Sequence, residues 1–257
     1  MSEMISAVVV VYNEARYLSE CLRRLTFCDE ILVIDLGSQD ESIEIAKGQG
    51  ARVIQHEWVP FAEKVRGFAL EHVKNDWVIF VDPDLYIPTS LGEKLRVLIG
   101  NHSDHNLGMV FLPIFTFFGS KPLRFGQKGG RRGYLGVIHR DRVEIPAFLH
   151  FHGVQLRDGF FALCLIAADN EVICHYWIDT LREAFIKGRR YLPYEPEKRH
   201  ALGQTFSWRR MFSELWRSLK MDLRKLAFLE WRALQVMFFQ LWYTYMSNIT
   251  LRRFKRV

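Results

Sequence analysis

At 257 residues and 49% hydrophobic content, the chain is long enough for one sizeable domain with an appendage and too apolar to be a disordered tail. Its net charge of +6 is concentrated at the C-terminus, where residues 206–257 carry eleven Lys and Arg against three Asp and Glu. The preceding residues are slightly acidic, which excludes a uniformly basic nucleic-acid-binding protein and favours a C-terminal segment that meets an anionic surface.

The first ninety residues alternate strand-like apolar runs with amphipathic stretches. The strand-like runs are residues 5–12, 30–35, 51–56 and 77–82. The first helical stretch covers about 17–25, the second opens with the capping-box pattern Ser38-x-x-Glu41, and the third covers about 61–74. This alternation predicts an α/β fold with a mostly parallel sheet that is covered on both faces.

Polar side chains follow three of these predicted strands at the point where each strand ends. They are Tyr12, Asn13 and Glu14 after the first strand, Asp35 after the second, and Asp82 and Asp84 after the fourth. Ligands of parallel sheets bind outside the carboxyl ends of the strands. The pattern therefore predicts a binding site at this edge of the sheet.

Asp82 and Asp84 are the most informative of these residues. Side chains two positions apart on an extended segment point to the same side, so the two carboxylates can converge on one Mg²⁺ or Mn²⁺ ion, which in turn neutralises a diphosphate. The alternative is a solvated Asp-Pro-Asp turn with no ligand.

Residues 107–179 show a looser pattern. Strand-like runs at 109–118, 137–141, 161–167 and 171–178 surround the Gly- and Arg-rich segment 125–136. Asp158-Gly159 is typical of a hairpin turn. We expect this half to complete the sheet and to form the second wall of a cleft.

Two helical stretches follow from about residue 205. The first carries an apolar stripe with basic residues largely beside it, and the second includes the uncharged segment 233–251, which polar residues interrupt. The pattern favours attachment to a membrane surface over a membrane span. The alternative is that both helices pack on the preceding domain or on a second copy. The stripe consists of Trp208, Phe212, Leu215, Trp216, Leu219, Leu223 and Leu226.

The four cysteines form no C-x-x-C pair and show no zinc-ligand spacing, and the first residues lack the pattern of a cleavable signal peptide. We therefore expect reduced, buried thiols and a cytoplasmic setting.

Four segments, "VVVVYNEARYLSECL", "EILVIDLGSQDESIEIAKGQGARV", "VRGFAL" and "DWVIFVDPD", resemble in order and spacing the nucleotide-binding half of family 2 glycosyltransferases. Within that family the chain is most similar to lipopolysaccharide core glucosyltransferases. The resemblance covers residues 5 to about 90 and continues weakly through 175–191. It implies a GT-A fold, a nucleotide-diphosphate sugar donor, a divalent cation and inversion at the anomeric carbon.

The resemblance also implies roles for individual residues, each with a structural alternative. Tyr12 would stack on the base or serve as a core aromatic, Asp35 would contact the nucleoside or cap a helix, and Arg66 would approach the base and phosphates or be solvated. Asp82 would face the ribose and, with Asp84 and His175, form the metal site, although His175 has a structural alternative. Asn13 and Glu14 belong to the same donor loop, and Arg131 and Arg132 would clamp a diphosphate or an acidic acceptor, or be solvated.

The chain departs from the family pattern at the expected catalytic base. Relatives carry His-Glu in the segment that matches 148–154, whereas here His150 is followed by Phe151. The nearby substitutes are Glu144, ranked first, and Asp158 and His152, whose alternatives are a turn residue and a hydrogen-bonded core histidine. A second departure is Leu36, which stands where many members have an aspartate.

Together these patterns predict a GT-A domain at 1–204, with a nucleotide-binding half at 1–90 and an acceptor-side half at 91–204, followed by a membrane-associating tail at 205–257. We expect a UDP-sugar donor, a lipid-linked or lipopolysaccharide acceptor and a peripheral position on the cytoplasmic face of an anionic membrane, with no nucleic-acid partner. The oligomeric state stays open. One alternative is a degenerate, non-catalytic scaffold of envelope assembly; another is a sugar nucleotidyltransferase, which would need a glycine-rich opening that this chain lacks.

Overall fold

The computed structural model describes residues 3–102, 106–145, 154–168 and 170–254. The chain forms two compact units, one made of Met1–Ile114 and Arg132–His175 and the other of Phe115–Arg131 and Tyr176–Val257. Neither unit begins or ends at the predicted boundary after residue 204. The division into a glycosyltransferase domain and a membrane-associating tail stays a prediction.

Helices and strands alternate along the first part of the chain, as predicted. In chain order they are β1 (Ile5–Val11), α1 (Ala15–Arg23), β2 (Glu30–Asp35), α2 (Ser42–Gly48), β3 (Arg52–Gln55), α3 (Arg66–His72), β4 (Trp77–Val81), β5 (Leu85–Tyr86) and α4 (Thr89–Asn101). A 3₁₀ turn at Ala62–Val65 leads into α3.

The remaining elements are mainly strands up to residue 178 and helices beyond it. They are β6 (Leu107–Phe118), β7 (Lys121–Pro122), β8 (Arg132–His139), β9 (Val143–Glu144), β10 (Gln155–Leu156), β11 (Phe161–Cys164), β12 (Ile173–Ile178), α5 (Leu181–Tyr191), α6 (Glu195–Ala201), α7 (Trp208–Arg224) and α8 (Trp231–Arg253). Short 3₁₀ turns lie at Leu192–Tyr194 and Ala227–Leu229.

The main sheet has the strand order β3-β2-β1-β4-β8-β6-β12-β5. Strands β3, β2, β1 and β4 are parallel, which confirms the parallel sheet predicted for the first ninety residues. From β8 onwards the sheet is mixed, because β8 runs antiparallel to both β4 and β6, whereas β11 pairs with β6 in parallel. Strands β9 and β10 form a separate two-stranded sheet.

Apolar side chains cover the parallel half on both faces. Ile5, Ala7 and Val9 of β1 pack in one cluster with Leu18 and Leu22 of α1. The intervening Val8 points to the opposite cluster, with Leu32, Val78, Val65 and Ala69. Burial on both faces explains why these strands read as continuous apolar runs rather than as alternating ones.

Two local predictions were wrong. Helix α2 begins at Ser42, and Ser38 does not cap it, because the Ser38 hydroxyl accepts a hydrogen bond from the Asn13 amide instead. Asp158-Gly159 does form a turn, in which the Phe160 amide donates to the Arg157 carbonyl. It is not a hairpin, because β10 pairs with β9 and β11 pairs with β6.

The second unit is built from α5 to α8 together with the segment 115–131. Phe118, Ile178, Ala184, Val236 and Phe239 form its main apolar cluster. Residues 205–254 therefore contribute to the core of this unit through α8. Across the part of the chain that the structure describes, no helix is both long enough and apolar enough to cross a bilayer.

The four cysteines are unlinked, as expected. Cys21 is buried, but Cys164 is exposed, so the expectation of uniformly buried thiols was wrong.

Candidate active site

The Asp-Pro-Asp segment forms a tight turn at the carboxyl end of β4. The Leu85 amide donates to the Asp82 carbonyl at 2.9 Å, which places Pro83 at the second position of a β-turn, where its fixed φ is favourable. The prediction of an extended segment was therefore wrong. The turn nevertheless keeps the two aspartates in electrostatic contact, since Asp84 is one of the charges that act on Asp82.

Strand pairing brings His175 to this turn from far along the sequence. Strand β12 pairs with β5 so that His175 lies opposite Leu85, the residue that follows Asp84. As a result His175 Nε2 lies 3.6 Å from Asp84 Oδ2. Asp82, Asp84 and His175, which were predicted to act together, are thus neighbours.

The carboxylates lie in a partly desolvated environment. Although part of Asp82 reaches solvent, the protein packed around its carboxylate and the neighbouring Asp84 raise its pKa to about 6, while Arg66 and His175 act in the opposite direction. Arg66 itself is only 6% exposed, and its guanidinium lies 5.3 Å from the centre of the Phe80 ring. The alternative of a solvated Arg66 was therefore wrong.

Two adjacent carboxylates of this kind fit a divalent cation. Within the described residues no group of three or more His, Cys, Asp and Glu side chains is arranged to hold a metal by itself. Mg²⁺ commonly binds through one or two carboxylates and takes its remaining ligands from water and substrate phosphates. The donor set of Asp82 and Asp84 meets that requirement.

The loops after β1 and β2 are tied together by hydrogen bonds. Asn13, with a positive φ of 55°, donates its amide to Ser38 Oγ at 3.0 Å and accepts from the Gln39 amide at 2.8 Å through Oδ1. The Glu14 amide donates to Ser42 Oγ at 2.9 Å. These contacts fix the two loops to each other at the carboxyl edge of the sheet.

Asp35 lies beneath these loops and is 0% exposed. Its carboxylate accepts hydrogen bonds from the amides of Gly37 and Ser38 at 3.1 Å. Asp35 therefore holds the loop after β2 in its conformation. Because its side chain exposes no surface, it cannot contact a nucleoside directly in this conformation. It does not cap α2, whose N-cap is Glu41.

Tyr12 is exposed, which rules out the alternative of a core aromatic. Its ring packs edge-to-face against Trp58, at 6.4 Å between ring centres, and Trp58 is exposed as well. Sequence reasoning missed Trp58, because a single tryptophan in the irregular segment after β3 belongs to no pattern.

Tyr134 of β8 is a second residue that sequence reasoning missed. Burial raises its pKa well above the usual value, with Asp82 and Asp84 contributing in the same direction and Arg66 opposing them. Tyr134 therefore belongs to the surroundings of the aspartate pair. Its only signal in the sequence is its position directly after the Arg-rich loop.

The candidate bases lie on the small β9–β10 sheet and next to it. Glu144 ends β9 and is exposed, and Asp158 is exposed in the turn that follows β10. The turn role suggested for Asp158 is thus confirmed, whereas His152 lies outside the described residues. Arg131 is exposed in the second unit; Arg132, in the first unit, is half-buried, and burial lowers its pKa.

The model of the Glycosyl transferase family 2 matches residues 6–172, more than half of the chain. The chain belongs to this family. The match extends well beyond the resemblance at residues 5–90 and includes both the aspartate turn and the β9–β10 region. Family membership and the mixed sheet with its parallel half confirm the predicted GT-A fold.

Curated relatives match over part of their length. The lipopolysaccharide core biosynthesis glycosyltransferase LpsC of Rhizobium meliloti is 30% identical over 100 residues, which cover 37% of each chain. An uncharacterized glycosyltransferase of Rickettsia felis is 28% identical over 102 residues, which cover 39% of this chain and 36% of that one. The chain thus spans little more than a third of the length of these relatives.

A solved structure of glucosyl-3-phosphoglycerate synthase from Mycobacterium tuberculosis, in complex with Mn²⁺, UDP and glucosyl-3-phosphoglycerate, is also similar. It matches with a TM-score of 0.38 and 23% identity, over 45% of this chain and 44% of that chain.

Proposed function

We propose that this family 2 glycosyltransferase transfers a sugar, with inversion, from a UDP-sugar to a lipid-linked or lipopolysaccharide-type acceptor at the cytoplasmic face of a membrane. The observation that carries the proposal is the convergence of Asp82, Asp84 and His175 at the carboxyl edge of the parallel strands, with Arg66 as the nearby countercharge. Family membership supports the reaction class.

The nucleotide would bind beside the loops after β1 and β2. The exposed rings of Tyr12 and Trp58 offer an aromatic surface for the base, and stacking on such rings is favourable. The ties between Asn13, Ser38 and Gln39 hold the loop in place before the donor arrives. Such preorganisation lowers the entropy that binding costs.

The diphosphate would lie against the aspartate turn. A divalent cation held by Asp84 and Asp82 would neutralise the leaving diphosphate. His175, 3.6 Å from Asp84, would help to position that carboxylate once the cation is bound, and Arg66 would supply positive charge from the buried side.

The acceptor hydroxyl needs a base. As its oxygen bonds to the anomeric carbon, the bond from that carbon to the diphosphate breaks and the hydroxyl proton passes to a carboxylate. We assign Glu144 as the first candidate and Asp158 as the second. Glu144→Gln, with Asp158→Asn as its matched comparison, should lower kcat by about 100-fold or more while nucleotide binding stays unchanged. If both variants keep full turnover, neither residue is the base.

Membrane attachment would use the exposed apolar stripe of α7. Trp208, Phe212 and Trp216 are 49%, 62% and 63% exposed, at a spacing that places them on one side of the helix. Arginines and lysines lie beside the stripe, as in helices that bind anionic interfaces.

Truncation at residue 205 is not a clean test of attachment, because Val236 and Phe239 of α8 belong to the core of the second unit. A double substitution, Phe212→Ser with Trp216→Ser, should instead abolish co-flotation with anionic vesicles. Val97→Ser with Ile166→Ser removes two exposed apolar residues from the first unit and should leave flotation unchanged. Equal flotation by both double variants would contradict membrane attachment through α7.

The missing glutamate after His150 favours one second candidate, a non-catalytic scaffold that still binds the nucleotide sugar. Release of UDP from UDP-sugars, with Mn²⁺ and a lipopolysaccharide core acceptor, separates the two. Acceptor-dependent release that Asp84→Ala abolishes supports the transferase. Donor binding without turnover across a panel of acceptors supports the scaffold, and release of pyrophosphate would indicate a nucleotidyltransferase instead.

A further inference from the structure

Helix α7 presents three distinct faces. One face packs inside the second unit, and a second is the exposed stripe of Trp208, Phe212 and Trp216. The third face lies one position further along, roughly 100° round the helix, and carries Arg209, Ser213 and Arg217. A basic polar face therefore runs directly beside the exposed apolar one.

The third face borders an open hollow of about 510 Å³. The hollow lies between the start of α7 and the segment that precedes the helix, and its volume is within the range of ordinary ligand sites. Its lining residues are polar or charged and offer many hydrogen-bond donors; they include Thr205, Ser207, Arg209, Arg210, Ser213 and Arg217.

The charges in the hollow are not balanced. Glu214 also lines it, but its carboxylate accepts from Arg199 at 2.6 Å and from the Asn248 amide at 2.8 Å. Over the described residues, no carboxylate pairs with Arg209 or Arg217. The lining thus carries excess positive charge that is available to an anion.

Local contacts hold part of this lining in place. Ser207 Oγ accepts from the Arg210 amide at 3.2 Å, and the Arg210 guanidinium donates to the Thr205 carbonyl at 3.0 Å. Arginine binds phosphate through two parallel hydrogen bonds, so a guanidinium whose stem is already ordered is well suited to a phosphate group.

We propose that this hollow binds the phosphate of an anionic phospholipid headgroup. A free phosphate would contact only the arginines and would leave the adjacent stripe of Trp208, Phe212 and Trp216 in water, so we expect it to bind more weakly than a lipid. A phospholipid contacts both the basic face and the apolar stripe, because its phosphate binds in the hollow while the stripe inserts into the acyl region. The inference rests on the membrane attachment proposed above and names the group that the attached protein recognises.

The test measures binding of the full-length protein to vesicles of phosphatidylcholine mixed with phosphatidylglycerol. Arg209→Gln with Arg217→Gln removes the two arginines of the hollow. Lys220→Gln with Arg224→Gln removes the same charge from exposed positions further along the same side of α7, outside the hollow. Both pairs lose the same general electrostatic attraction to the anionic surface, because each removes two positive charges.

The proposal expects the pair in the hollow to weaken binding at least about tenfold more than the matched pair, because charge-assisted hydrogen bonds add to the general attraction. Equal losses by the two pairs would overturn the proposal while leaving membrane attachment intact. No vesicle binding by the wild-type protein would overturn attachment itself.

A second measurement separates the lipid from free phosphate. Inorganic phosphate is titrated into the wild-type protein in the absence of vesicles, and thermal stability is followed at constant ionic strength. Little stabilisation by phosphate is expected if the lipid is the ligand. Strong stabilisation that the Arg209→Gln, Arg217→Gln pair abolishes would instead assign the hollow to soluble phosphate and overturn the lipid proposal.

Discussion

Replacing Asp35 by alanine tests the assignment of this residue to the loop after β2. The carboxylate is fully buried and accepts from the amides of Gly37 and Ser38, and alanine leaves both amides without their acceptor. Hydrogen bonds to a charged group contribute about 1.5–3 kcal/mol each, so the loss of two should cost about 3 kcal/mol or more in the free energy of unfolding. For a domain of this size that corresponds to a fall in Tm of roughly 6–12 °C.

Differential scanning calorimetry at neutral pH measures this loss. Asp35→Asn keeps one acceptor oxygen and should lose about half as much. Glu41→Ala removes the same charge from an exposed side chain that makes no cap on α2, and should change stability by less than about 0.5 kcal/mol. If Asp35→Ala matched Glu41→Ala in stability but lost nucleotide binding, Asp35 would be a ligand contact rather than a loop residue, and the reasoning would be refuted.

Two further predictions concern the core of the first unit. Burial pushes the pKa of Glu30 up, but hydrogen bonds from the Lys74 amide, Ser6 and Arg52 outweigh it and lower the pKa below 4.5. The stabilisation of the fold by ionised Glu30 is therefore present above pH 4.5 and is lost as the pH falls through the folded-state pKa. Glu30→Gln should lower the free energy of unfolding, measured by thermal unfolding, by about 2–3 kcal/mol at pH 7 and by progressively less in acid. A difference between variant and wild type that stays constant with pH would contradict this. A β-carbon at Gly92 of α4 would overlap the Phe27 ring, so Gly92→Ala should lower the free energy of unfolding in urea by about 1–2 kcal/mol, because overpacking exceeds the gain of about 1 kcal/mol in helix propensity. A more stable variant would show that Phe27 moves aside at no cost.

The parallel half of the fold was predictable because its strands are buried on both faces. Largely apolar runs such as 30–35 are typical of strands buried on both faces, and β2 has the predicted bounds. From β8 onwards the strands are antiparallel or short, and their partners are distant in sequence. No local pattern shows that β11 pairs with β6 rather than with β10.

At the candidate site, the proximity of Asp82 and Asp84 was predictable from their residue type and their position directly after β4. Features of the site that depend on contacts between residues distant in sequence were not predictable. The Ser38 hydroxyl was expected to cap a helix, yet it accepts a hydrogen bond from the Asn13 amide, 25 residues away in sequence. Likewise nothing near Arg66 in the sequence shows that it is buried against Phe80, because that contact joins α3 to β4.

The most direct test of the proposed donor site is a thermal-shift titration of UDP and GDP, with and without Mn²⁺, on the wild-type protein and on Asp84→Ala. Glu197→Ala, an exposed carboxylate of α6, serves as the matched control. At a hundred-fold excess over its Kd, a ligand stabilises the folded protein by about 2.7 kcal/mol, or several degrees in Tm. The proposal predicts a Mn²⁺-dependent shift with UDP that Asp84→Ala abolishes and Glu197→Ala retains. A well-folded wild-type protein that shows no shift with either nucleotide would contradict it.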